Sequence, residues 1–125
     1  MRRRPARGGD QRGAATAELA MTLPLLIAVT IGLVWLLAVG LAQVRAVDAA
    51  RETARAVARG DATGAAVARG ERVAPPGSEV SVQDTGGEVR AVVVGRVAGP
   101  GGLFDLPFAR FSAEAVAATE DGDSR

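Results

Sequence analysis

The chain has 125 residues, a formal charge of +1 and 48% hydrophobic residues, with aromatics at only 3%. That length holds one small domain plus an anchoring or targeting segment, and its core must be built largely from Ala, Val and Leu. All basic residues are Arg, and with no His, Cys, Lys or Tyr the chain has no disulfide, no thiolate metal site and few means of acid–base or nucleophilic catalysis.

Five of the arginines come first: Arg2, Arg3, Arg4, Arg7 and Arg12, against Asp10. A basic head on a near-neutral chain is not a nucleic-acid footprint, which needs basic residues on one folded face with aromatics for base stacking. The head stops at Gly13, and one carboxylate, Glu18, then stands at the mouth of an apolar run. From Leu19 to Ala42 no residue is charged, which exceeds the roughly 20 residues a helix needs to cross a bilayer. Arginines before the run, and the mixed charges Arg45, Asp48, Arg51 and Glu52 after it, predict a single-pass protein of the cell membrane. Its amino terminus would be cytoplasmic and its carboxyl-terminal domain extracytoplasmic. A buried core helix would need more surrounding chain than this protein supplies. A secretory signal cleaved after Ala42 would have the required small residues in Gly40-Leu41-Ala42, but the run is longer than the usual ~7–15 apolar residues of such signals.

Pro24 sits inside the run and predicts a helix kink, because it removes a backbone donor and clashes with the preceding turn. The carbonyl it frees, near Ala20, would need a partner such as Thr22 or a neighbouring helix. Ala28, Gly32 and Gly40 offer small side chains where a second helix could approach closely. Helical periodicity continues through residues 43–60, with Val44, Val47, Ala50, Ala54 and Val57 on one stripe. Asp48 with Arg51, and Glu52 with Arg55, form i,i+3 pairs on the polar side, and Gly60 is placed to end the helix. Together these features predict one continuous helix from Ala14 to Arg59.

A short second helix is expected within residues 61–70, capped by Asp61 or Thr63 and stopped at Gly70. Pro75-Pro76-Gly77 then forces a turn. Beyond it the period changes to two: Val80 and Val82 share one face, and Val89, Ala91 and Val93 oppose Arg90 and Val92. Asp84-Thr85-Gly86-Gly87 between them reads as a hairpin connection. Leu103, Phe104, Leu106, Phe108 and Phe111 read as a plug for the small sheet, with an exposed docking patch as the alternative. Residues 111–120 suit a third strand with Glu114 outward or a short helix, and periodicity alone does not choose. The acidic end, with Asp121 and Asp123, reads as a disordered tail.

The fold class is therefore α+β: a long amino-terminal transmembrane helix continuing into an amphipathic helix, then a two- or three-stranded antiparallel sheet. The domains follow as a basic leader (1–13), a transmembrane helix (14–42), an extracytoplasmic helix continuation (43–60), a small ectodomain (61–120) and the tail (121–125). No catalytic, cofactor-binding or metal-ligating set is expected. Serines lie only in the carboxyl-terminal half, the acids lack metal-ligand spacing, and the glycines form no phosphate-binding fingerprint. No enzyme, no cofactor, and neither a nucleic-acid nor a small-molecule partner is predicted.

Glu18 is the exception to an otherwise inert surface. A carboxylate in apolar surroundings must find a counter-charge or take up a proton. A cut after Gly13 would create an ammonium at Ala14, four residues away, within one helix or offered by a neighbouring one. Gly13-Ala14-Ala15-Thr16-Ala17-Glu18-Leu19, followed by Pro24 in an apolar run, resembles the processing site of type IV prepilins. Arg12 through Leu26 is similar to the TadE-like family of the tight-adherence pilus system. That resemblance implies cleavage after Gly13 by a prepilin peptidase, a role for Glu18 in subunit registration, and a structural pilus protein. Its implied partners are membrane lipid, the peptidase, other pilin subunits and assembly proteins, with adhesion as the wider process. Leu19, where major pilins of the system tend to have Tyr, implies a minor pilin. An uncleaved signal-anchor protein, or a binding protein secreted after Ala42, is the alternative.

Overall fold

The computed structural model describes residues 10–102 and 109–119. The expected leader up to residue 9, the plug residues Leu103, Phe104, Leu106 and Phe108, and the acidic tail lie outside the described residues. Among those described, helix α1 (Asp10–Ala58) and helix α2 (Thr63–Val73) precede strands β1 (Glu79–Asp84), β2 (Glu88–Arg96) and β3 (Arg110–Ala118). The fold is α+β, and the sheet is antiparallel with strand order β1-β2-β3. The chain divides into two compact units, Met1–Val34 and Trp35–Arg125.

Helix α1 is continuous as expected, starting earlier than Ala14 and running through Pro24. Its end is built by hydrogen bonds from Gly60 N–H to the Val57 carbonyl (2.9 Å) and from Asp61 N–H to the Ala56 carbonyl (3.0 Å). Gly60 takes a positive φ of 92°, the left-handed conformation that such a helix end requires and that glycine adopts without a β-carbon clash.

Helix α2 departs from expectation at both ends. Its N-cap is Ala62, with no side-chain cap bond. Asp61 does not cap it, because its carboxylate is directed to Arg69 (3.4 Å) and Arg59 (4.0 Å) instead. Nor does Gly70 stop the helix: it is buried inside it, and the helix runs on to Val73 before Pro75 prevents continuation. A tight turn follows, with Gly77 at φ 76° and Ser78 bonded to the Pro75 carbonyl.

In the sheet, Val80 pairs with Val93 and Asp84 with Val89 across β1 and β2. The hairpin tip is fixed by Asp84, whose carboxylate accepts from Gly86 N–H at 2.8 Å, while Gly86 takes φ 85°. Val89, Ala91 and Val93 are buried and Arg90 is exposed, as the alternation predicts. Residues 110–118 resolve as a strand, Ala115 pairing with Ala91 and Ala113 with Val93. The ladder to β2 overrides the local helix-forming character of this alanine-rich segment.

The core of the second unit joins the later part of α1 to one face of the sheet. Ala42, Ala46, Ala49 and Ala50 pack with Ala74, Val80, Val93, Phe111 and Ala113. Ala56 and Val57 pack with Ala66 and Val89. The expected valine stripe is only partly right: Ala50, Ala54 and Val57 are buried, but Val44 is 58% exposed. The buried face is an alanine seam at 42, 46, 49, 53 and 56, interrupted by Thr53, whose hydroxyl donates to the Ala49 carbonyl at 2.8 Å. Small side chains bury little area each, so close approach of backbones replaces bulk. Polar pairing is also reassigned. Among the described residues neither Asp48–Arg51 nor Glu52–Arg55 closes as an ion pair, and Glu52 instead reaches Arg69 on α2 at 3.7 Å.

Candidate functional site

In the first unit, the candidate residues all ride on α1. Gly13, Ala14, Glu18, Pro24, Ala28 and Gly32 are exposed, as is every described residue from Gln11 to Val34. Large apolar side chains point outward all round this segment, including Leu19 (71%) and Met21 (81%). Exposure on every side excludes the buried-core reading and leaves a surface that matches lipid or other helices rather than water. Among the described residues, α1 is the helix long and apolar enough to cross a membrane, and it fits a single-pass membrane protein.

Its threonine hydroxyls are satisfied within the helix. The hydroxyls of Thr16, Thr22 and Thr30 donate to the carbonyls of Arg12 (2.9 Å), Glu18 (2.7 Å) and Leu26 (2.8 Å). Each is an i to i−4 bond, which removes a hydroxyl that lipid would leave unsatisfied. Thr22 thus serves the Glu18 carbonyl and not that of Ala20, the group freed by Pro24. A β-carbon added at Gly13 or Gly32 would meet nothing within 4 Å.

In the second unit, Gly40 is likewise exposed with open space around it. Comparison with known families bears on most of this helix. The profile of the family described as TadE-like protein matches residues 13–55. The similarity is confined to this segment. The match opens on Gly13 and contains every candidate residue, covering about a third of the chain's length. No curated protein and no solved structure matches the chain.

The matched segment also holds residues that carried no role in the sequence pattern. Trp35, the chain's single tryptophan, donates its indole N–H to the Ala98 carbonyl at 3.1 Å. Gln43 donates its side-chain amide to the Ser112 carbonyl at 2.9 Å. These two bonds tie α1 to the loop after β2 and to β3. A lone tryptophan in an apolar run was the available signal, since amphipathic aromatic rings collect at membrane–water boundaries. The carboxamide of Gln43, first polar group after the run, carried no comparable mark.

Proposed function

We propose that the chain is a TadE-like minor pilin that takes part in assembly of a tight-adherence pilus through helix packing. A prepilin peptidase removes residues 1–13 by cutting after Gly13. The new ammonium of Ala14 then serves as counter-charge to Glu18, on the same helix or on a neighbouring subunit. Pairing between subunits would fix the register of one helix against the next, because only the right stagger satisfies the carboxylate. Pro24 would bend the helix, and Ala28, Gly32 and Gly40 would let neighbouring helices approach closely. The amino terminus would be cytoplasmic and the sheet-bearing domain extracytoplasmic, in the membrane or in a pilus.

The observation that carries this reading is the family match opening at Gly13, five residues ahead of Glu18, the carboxylate that stands at the start of the apolar stretch of α1. Release after Ala42 fits less well. Ala42 lies mid-helix and is only 6% exposed in the core of the second unit, so that cut would divide α1 within its packed stretch.

Glu18→Ala tests the proposed role. The variant is expected to be cleaved as the natural chain is, yet to be depleted from sheared filaments and retained in the membrane fraction. Incorporation at the natural level would sink the role given to the carboxylate.

A further inference from the structure

We infer that the end of the second unit carrying Trp35 rests on an anionic phospholipid surface, so that α1 leaves the hydrocarbon at Trp35 and not at Ala42. This rests on the membrane reading proposed above and adds a lipid-contacting surface to it.

The backbone decides the level. The chain after β2 leaves regular structure at Val97, and Ala98 accepts the Trp35 indole N–H at 3.1 Å. The same stretch, with Pro75 and Pro76, lines an open groove of about 310 Å³ against Ala38, Leu41 and Ala42 of α1. Irregular backbone exposed to lipid does not occur within the hydrocarbon, where its polar groups would go unsatisfied. The residues of α1 that this backbone packs against must therefore lie outside it, although residues 35–42 are as apolar as those before them. Trp35 is half-buried, with its ring on the helix and its N–H occupied, the arrangement of an indole at a lipid–water boundary.

The charge at this end has the matching sign. Arg45 and Arg96 line the groove, and Arg110 lies directly opposite Arg96 across β2 and β3, both exposed. Among the described residues, one carboxylate, Glu79 at the start of β1, belongs to the same end of the sheet. Guanidinium groups near a membrane surface are drawn to lipid phosphates. Counting back roughly 20 residues from Trp35 along the sequence reaches Ala15. Glu18 then falls just inside the hydrocarbon span, within about one helical turn of its edge, where it needs a counter-charge.

Trp35 reports its own depth, since no other Trp and no Tyr interferes with its emission. The full chain is reconstituted into phosphatidylcholine vesicles whose acyl chains carry bromine near the headgroup or near the methyl end. Shallow bromine is expected to cause the larger loss of Trp35 emission. A chain that floats with the vesicles but is quenched as strongly by deep bromine overturns the inference alone. A chain that does not float with them overturns the membrane reading along with it. In a second arm, vesicles half of phosphatidylglycerol are expected to protect the amides of residues 96–98 from hydrogen exchange more than phosphatidylcholine does. The Arg45→Gln, Arg110→Gln double variant is expected to lose that gain. Equal protection in both lipids would overturn the anionic contact.

Discussion

The hydroxyl of Thr53 on α1 occupies the space that a β-carbon on Gly70 of α2 would need. The two helices approach at this point, with Thr53 fully buried and Gly70 buried in mid-helix. Glycine inside a helix ordinarily costs about 1 kcal/mol relative to alanine. Here it is the residue that permits the approach.

The sign of a substitution should reverse accordingly. Gly70→Ala is expected to destabilise the second unit by about 1–2 kcal/mol, the overpacking cost exceeding the propensity gain. Thr53→Ala in the same chain should restore stability, because the nearest remaining Thr53 atom, its β-carbon, stands at an ordinary 3.4 Å. Thermal unfolding of the single and double variants in detergent checks this. A stabilising Gly70→Ala on its own would contradict the packing described.

A second glycine is held by an aromatic ring. Gly95 pairs directly with Phe111 across β2 and β3, and a β-carbon at Gly95 would collide with the Phe111 ring. Phe111 is only 4% exposed and covers the bare strand backbone. Gly95→Ala is expected to cost about 1–3 kcal/mol, and Phe111→Leu should recover part of it. Hydrogen exchange of the β2 amides reads the effect directly, and unchanged protection in Gly95→Ala would count against it.

The outer face of the sheet should matter far less. Arg90 reaches Glu114 at 2.6 Å and Glu88 at 3.2 Å, but all three side chains are roughly half exposed. Exposed pairs of this kind contribute about 0–1 kcal/mol and are screened by salt. Glu114→Gln should shift the unfolding midpoint only slightly, and less still in high salt. A large loss would mean that this face is covered in the working protein.

What was legible in the sequence follows from what each signal depends on. The long helix, the change to period two at Val80 and the hairpin at Asp84-Thr85-Gly86-Gly87 all rest on local pattern or turn chemistry, and the structure agrees with them. The packing face of α1 was misread because hydrophobicity was weighed and size was not. Val44 stays exposed while Ala46 and Ala49 are fully buried, since the sheet and α2 come too close for larger side chains. Gly70 looked like a stop signal because its contact with Thr53 is tertiary. Residues 110–118 could be settled only by their ladder to β2. Of the candidate site, Gly13, Ala14 and Glu18 were visible because spacing and solitude mark them, whereas the Trp35–Ala98 bond joins residues 63 positions apart.

That bond and the burial of Ala42 place the start of the second unit ahead of Gln43. A fragment beginning at Trp35 is expected to unfold at a higher temperature than one beginning at Gln43. The difference should be about 4–8 °C for each kcal/mol that the added turns contribute. Equal melting temperatures would show that residues 35–42 add nothing to the sheet-bearing unit.

The measurement closest to the central claim is the amino-terminal residue of the mature protein, read by terminal sequencing or intact mass. A prepilin peptidase cutting after Gly13 leaves Ala14 as the first residue, and that is the result expected. Met1 would indicate an uncleaved signal anchor, and Gln43 a protein released after Ala42. Either would contradict the minor-pilin account and leave Glu18 without the ammonium proposed as its partner.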